Sequence, residues 1–433
     1  MSVADHEIHA LGTAGAGHVL SLILSGQARS RADLARISDL SRATITQRLG
    51  VLFEAGLLQE AEETQASGGR PARVLKLNES FGVVLAADIG ESRIRVAATD
   101  LGPNVLAERL GDLEVGSGPV PILTWIARQF RALLAEIGRP ASDVLGIGLC
   151  LPAPVDHAAG RVMGPSVMTG WDDFDIPGWF AADYAAPVLA ENDVRLRTLT
   201  EHRQFWPEER QMVFIKAGTG IGSGIITEGR MHRGARGAAG DIGHIQLRDA
   251  EAPLCRCGKL GCVEAYAAGW AIARDLRARG FAARDARDVM DLVGRNRPEA
   301  ISLVRQAGRV LGEVAADVVS VLNPSVIVVG GTLSEAGEHL LAGVREFVYQ
   351  RCLPLATRDL TIVAARAGEL AGLLGAARLV VDTRLQPQAV DRLIAERGRG
   401  RKDAEAGLDR PSEQPNPFPD AEWTAGLRDR LQR

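Results

Sequence analysis

Four side chains carry the clearest chemistry in this chain. His244 is followed by ten residues and then Cys255-Arg256-Cys257, and four more residues separate Cys257 from Cys262. One imidazole and three thiolates meet the ligand requirement of a closed tetrahedral zinc site. Four protein ligands leave no open position for an activated water, so the zinc is expected to be structural. Gly258 and Gly261 permit the knuckle turn that lets the sulfur atoms converge. The alternative, three buried free thiols, has no need of glycines placed in this way. Cys150 and Cys352 read as ordinary buried small apolar residues.

A second set of side chains, near the amino terminus, suits phosphates and base edges. Ser41 caps a predicted helix over Arg42–Phe53 in which Ile45, Leu49 and Leu52 form one apolar stripe. Its other face carries Arg42, Thr44, Gln47 and Arg48, donors and acceptors of the kind that read a major groove. A helix over about His18–Ser25 and a short one opened by the capping box Ser30-Arg31-Ala32-Asp33 precede it. Strands Leu57–Glu60 and Arg73–Leu77 follow, joined by a loop with Gly68-Gly69-Arg70-Pro71. This loop reads as a wing, with Arg70 stiffened by Pro71 for a narrow minor groove. Ser41, Arg42, Thr44, Gln47, Arg48 and Arg70 are therefore the candidate DNA contacts. Between His18 and Leu77 eight basic residues face six acidic ones, so charge alone does not support DNA binding and the order of elements must. A small helical docking domain is the alternative.

The elements that position these groups fit a chain of 433 residues with 46% hydrophobic and 24% charged side chains, enough for a substantial core. Fifty basic against fifty-four acidic residues exclude a globally basic nucleic-acid coat. No apolar run reaches the roughly 18 residues needed to span a bilayer, and the start lacks a basic segment followed by an apolar one. A soluble, cytoplasmic bacterial protein without membrane contact is expected, nucleoid-associated when bound to DNA. Three zones separate: 16–77 as a winged helix-turn-helix, 81–384 as an α/β domain, and 386–433 as a partly disordered tail with a helix near Trp423. In the middle zone, Val83–Gly90 running into Ile94–Ala98 echoes Met212–Gly224 running into Ile225-Ile226. Each is a strand, a tight glycine turn and a second strand, so two related lobes are expected.

Taken together, these residues resemble the ROK family, which joins repressors and sugar kinases. The landmarks are Asp88-Ile89-Gly90, Pro152-Ala153-Pro154-Val155-Asp156, Gly170-Trp171, Glu191-Asn192-Asp193, Gly218-Thr219-Gly220-Ile221-Gly222, Gly240-Asp241-Ile242-Gly243-His244, the cysteine knuckle with Glu264, and Asn323-Pro324 before Gly330-Gly331. The resemblance implies a winged helix-turn-helix followed by a two-lobed actin/hexokinase-like (ribonuclease H-like) domain. It also implies that Asn192, Asp193, Asp241, His244 and Glu264 contact sugar hydroxyls, with Asp193 matching the general base of the kinases. His244 matches a residue that binds zinc through one ring nitrogen and a sugar through the other. Asp88, Gly90, Gly218, Thr219 and Gly220 match a nucleotide site, here expected to be vestigial.

Departures from the family pattern decide between its two branches. Glu91 brings bulk and negative charge to the first phosphate loop, an unfavourable meeting with polyphosphate. Ala153 stands for a usual Gly, Val167 or its neighbours for a sugar-contacting Asn, Asp241 for Glu, and Arg195 for a small or amide residue. These changes argue against use of ATP and Mg²⁺ and against enzyme activity. The expected function is a sugar-responsive transcriptional repressor of carbohydrate uptake or catabolism genes. It would bind double-stranded operator DNA as a homodimer or homotetramer. The alternative is an ATP-dependent hexose kinase, alone or bifunctional.

Overall fold

A computed structural model describes residues 15–62, 73–156, 160–164, 168–248 and 251–396. The chain divides into two compact units, one of residues up to Leu77 together with those from Pro387 on, the other Asn78–Gln386.

In the first unit α1 (Ala16–Leu24), α2 (Arg31–Ile37) and α3 (Arg42–Glu54) precede the antiparallel strands β1 (Leu58–Glu62) and β2 (Arg73–Leu77). Local chemistry sets the helix starts. Ser30 accepts from the Asp33 amide while the Asp33 carboxylate reaches back to the Ser30 amide, a complete capping box. Ser41 Oγ accepts from the Thr44 amide at 3.1 Å and opens α3. Val19, Leu20 and Ile23 of α1 are buried, as are Leu34, the α3 stripe Ile45, Leu49 and Leu52, and Val74 and Leu75 of β2. Leu75 also donates its amide to the Arg29 carbonyl at 2.8 Å, tying β2 to the turn before α2. The wing tip, including Arg70, lies outside the described residues.

Residues 387–396 are helical and belong to this same unit. The Asp391 carboxylate accepts from the amides of Gly15 at 2.9 Å and Gly17 at 2.8 Å, placing negative charge at the amino end of α1. Gly17 is required there because an added Cβ would lie 2.0 Å from the Pro387 carbonyl oxygen. The rest of the expected tail, with Trp423, lies outside the described residues.

The second unit contains two five-stranded sheets of the same design. In the first, β3 (Val83–Ile89), β4 (Ile94–Thr99) and β5 (Val105–Gly111) form an antiparallel meander. After α4 (Pro119–Glu136), β6 (Val144–Leu151) joins β3 in parallel. The small pair β7 (Val155–Asp156) and β8 (Arg161–Val162) and the short α5 (Ile176–Phe180) lead to β9 (Val188–Asn192), parallel to β6. The order is β5-β4-β3-β6-β9. Every residue of β3 and β6 is buried, the pattern of central parallel strands covered on both faces.

From β9 the chain passes directly into α6 (Asp193–Phe205) and then into the second sheet. There β10 (Met212–Ala217), β11 (Ile221–Thr227) and β12 (Arg230–His232) form the meander, followed by α7 (Val263–Ala267), α8 (Gly269–Ala278), α9 (Ala286–Gly294) and α10 (Pro298–Leu322). Strand β13 (Val326–Gly330) is parallel to β10 and, after α11 (Glu338–Arg351) and α12 (Pro354–Thr357), β14 (Thr361–Ala364) is parallel to β13. The order β12-β11-β10-β13-β14 repeats the first sheet, so the two echoing segments are the central hairpins of two related lobes. Helix α10 ends where Asn323 turns left-handed at φ +45° before Pro324. The last helix of the unit, α13 (Ala371–Arg384), packs on β3 and β6 of the first lobe and on α6. Among the described residues no helix is long and apolar enough to cross a membrane.

Candidate functional site

The β10–β11 hairpin is the hub of the candidate site. Its turn, Gly218-Thr219-Gly220, is pinned to the start of α8, where the Gly269 amide donates to the Gly218 carbonyl at 2.8 Å. Glu264 closes the other side: it accepts from the Ile221 amide at 3.0 Å and from Trp270 Nε1 at 3.2 Å. A Cβ on Gly220 would lie 2.9 Å from the same carboxylate, so glycine here keeps Glu264 in place. One oxygen of Glu264 serves the turn and the other the indole, each with a lone pair left for a ligand hydroxyl.

Asn192 and Asp193 stand where β9 becomes α6. The Asn192 side chain donates to the Ala153 carbonyl at 3.0 Å and accepts from the amides of Val194 and Arg195, capping α6. Asp193 is 6% exposed and forms an ion pair with Lys216 of β10. Burial works against the Lys216 charge, but the Asp193 carboxylate more than compensates, so Lys216 titrates above the usual lysine range. Asp88, at the end of β3, is paired with Arg197 of α6 at 2.8 Å. Glu91, in the turn after Gly90, is paired with Arg256 of the knuckle at 3.0 Å. Each acidic residue in or beside the expected phosphate region thus already holds a cation of this chain. Lys216 and Arg197 were not singled out by sequence; the available signal was a lone lysine in an otherwise apolar strand, Met212-Val213-Phe214-Ile215-Lys216-Ala217.

Arg195, noted in the sequence as a departure, is nearly buried and pairs with Glu191 at 2.9 Å. Its other terminal nitrogen donates to the Gly237 carbonyl, and Arg233 binds the second Glu191 oxygen at 3.2 Å. The fully buried Glu191 thereby ties the start of α6 to the loop after β12. That loop leads to Asp241, which is exposed, and to half-buried His244, at the end of a single helical turn. The segment around Val167 lies outside the described residues.

His244, Cys255, Cys257 and Cys262 bring their ligand atoms within 4.8 Å of one another. His244 Nδ1 lies 3.7 Å from Cys255 Sγ, and the sulfurs of Cys257 and Cys262 are 3.6 Å apart. A disulfide would require about 2 Å. Zinc–sulfur bonds of about 2.3 Å at tetrahedral angles place two sulfurs roughly 3.8 Å apart, so the donor set fits a zinc ion. Burial, followed by the neighbouring Cys257 and Cys255 sulfurs, pushes the Cys262 thiol up to about 12. Three thiolates packed this closely need a cation to stay ionised at neutral pH. With Nδ1 turned toward the sulfurs, Nε2 is the ring nitrogen left for another partner.

In the first unit, Arg42 and Gln47 are exposed on α3, while Thr44 and Arg48 are half-buried. Ser41 and Thr44 share a hydroxyl contact at 2.9 Å. The Arg48 guanidinium lies over Gly15, where an added Cβ would approach it to 2.7 Å. Arg48 therefore packs within its own unit, and Arg42 and Gln47 form the accessible part of the polar face.

The fold and the site define the class. The ROK family model matches residues 84–383, and the chain belongs to the ROK family. Its architecture, helices ahead of a ROK body, is that of the family's transcriptional regulators. A crystal structure of a ROK family transcriptional regulator, described as a homolog of the E. coli MLC protein, is similar over 89% of this chain and all of its own. The TM-score is 0.73 at 27% identity. The xylose repressor of Bacillus spizizenii is 26% identical over 368 residues, covering 84% of this chain and 94% of its own. The N-acetylmannosamine kinase of Salmonella arizonae is 30% identical over 300 residues, covering 97% of itself but 68% of this chain.

Proposed function

We propose that this chain is a sugar-responsive repressor that binds operator DNA through α3 and the wing and takes a sugar in the cleft around the β10–β11 hairpin. The observation that carries this reading is the capped helical unit with Arg42 and Gln47 exposed on α3, joined to a body whose acidic phosphate-site residues are already paired internally. Similarity to xylose repressors makes D-xylose the first effector to test. Asn192, Asp193, Asp241, His244 and Glu264 would read its hydroxyls, and a structural zinc ion would fix the His244 ring. Two copies in a dimer would set two α3 helices on half-sites about one helical turn apart. The sugar changes DNA affinity only by binding one arrangement better than the other.

The test is selection from a genomic fragment library by the full-length protein, with and without a panel of pentoses, hexoses and N-acetylhexosamines. The expected result is a sequence-selective fragment whose binding changes with one sugar. Absence of selective binding under every condition overturns the reading. Arg42→Ala should weaken binding across sequences and lower the salt slope by about one. In the same preparations ADP release with MgATP should stay at background across the panel, because Asp193 is held by Lys216.

A further inference from the structure

Two ion pairs of the cleft fasten the first sheet to elements of the second lobe: one directly at the mouth, and one on the floor where α6, packed on the second sheet, leaves the first-sheet strand β9. Asp193 directly follows the first-sheet strand β9, and Lys216 lies on the second-sheet strand β10. Glu91 lies in the first-sheet hairpin, and Arg256 belongs to the knuckle attached to the second lobe. The floor pair is well shielded, with side chains 8% and 19% exposed; the mouth pair is 25% and 42% exposed. Both ends of the mouth pair are held in place. The Glu91 carbonyl accepts from the Val115 amide at 2.8 Å, and the Arg256 guanidinium stacks over the Trp270 ring at 4.9 Å. Trp270 also donates to Glu264, which pins the second glycine turn.

We propose that these two pairs form an internal latch that holds the lobes in register without a nucleotide, so that the sugar alone sets how far the cleft closes. Lys216 and Arg256 are then positioning residues. A polyphosphate entering between the glycine turns would compete with Asp193 and Glu91 for the cations it needs. The latch rests on the reading of the body as a sugar cleft only for its purpose; its existence is tested without sugar.

The experiment is hydrogen exchange by mass spectrometry on the full-length, zinc-loaded protein with no ligand. Glu91→Arg should raise exchange roughly threefold to fivefold in peptides from both the β3–β4 turn and the knuckle, as expected for a partly exposed pair. Arg256→Glu should do the same. The double swap of both residues should restore protection in both places to near the starting level. On the floor, Lys216→Arg should keep protection at the start of α6, and Lys216→Met should lose it. The proposal is overturned if the double swap fails to rescue or if Glu91→Arg leaves the knuckle unchanged. Failure to find an effector in the DNA assay, with rescue intact, would overturn the sugar reading and leave the latch standing.

Discussion

The knuckle and the cleft floor flank the same hairpin and are held together in opposite ways. The knuckle gathers His244, Cys255, Cys257 and Cys262 from one stretch of chain, around a donor set that suits a single ion. The floor gathers Asp88, Asp193, Arg197 and Lys216 from three distant elements and balances two anions with two cations. With an ion bound, the first would fail all at once on its removal. The second fails pair by pair, and each failure leaves a charge stranded in a poorly solvated place. Order in the knuckle can thus be supplied from outside by a bound ion, whereas order on the floor is written into side chains that balance one another.

Metal loss should give the largest effect. Cys262→Ser, or a strong chelator, should release one zinc per chain and destabilise the body by on the order of 4 kcal/mol, the upper range of single-site losses. Zinc counting together with urea unfolding checks this. An unchanged midpoint after complete metal release would remove the contrast between the two regions.

Lys216→Met should rank second. It strands the Asp193 carboxylate, and breaking a buried pair from one side costs about 3 kcal/mol. The pH dependence identifies the cause. Lys216 titrates higher folded than unfolded, so its stabilisation is fully present below pH 10.5 and is lost as pH rises toward the folded value. Tyr184, which burial pushes up to about 12, contributes a fall in the same alkaline window. The test is therefore the difference between wild type and Lys216→Met: it should be constant at neutral pH and shrink above 10.5. A difference independent of pH would mean that packing and not charge is lost.

These two regions also mark what could be read from sequence. Ligand types at short spacing announced the knuckle, because its convergence is local. The Ser30 capping box and the Ser41 cap were legible for the same reason, and the repeated strand-glycine-strand pattern gave the two lobes. Glu91 and Arg256 are 165 positions apart, and nothing in either neighbourhood points to the other. Arg195 was visible as an odd residue after Asn192-Asp193, but Glu191 and Gly237 as its partners depended on how the loop after β12 folds back. Asp391 was hidden more deeply still. Its part of the chain has weak apolar periodicity, and only the fold places it at the amides of Gly15 and Gly17.

Glu264 joins the two kinds of construction, since it follows the knuckle in sequence but serves the hairpin in space. Glu264→Gln replaces one acceptor oxygen by a donor facing either the Ile221 amide or the Trp270 indole. The expected cost is about 1 to 2 kcal/mol, read as a lower urea midpoint with zinc content unchanged. Loss of zinc in this variant would show that the knuckle is not autonomous and would blur the distinction between local and distant assembly.

The smallest effect separates backbone from ligand. Gly258 sits in the knuckle at φ +85° with open space where a Cβ would go. Gly258→Ala therefore meets no clash and costs only the left-handed conformation, about 1 kcal/mol. Gly258→Asn should recover part of that, because asparagine tolerates this region better. Gly220, without a left-handed backbone, would instead push an alanine Cβ against the Glu264 carboxylate. If the knuckle is closed chiefly by its ion, excess zinc should restore the melting point of Gly258→Ala and leave that of Gly220→Ala unmoved. Equal rescue of both would mean that the ion governs the hairpin turn as well as the knuckle.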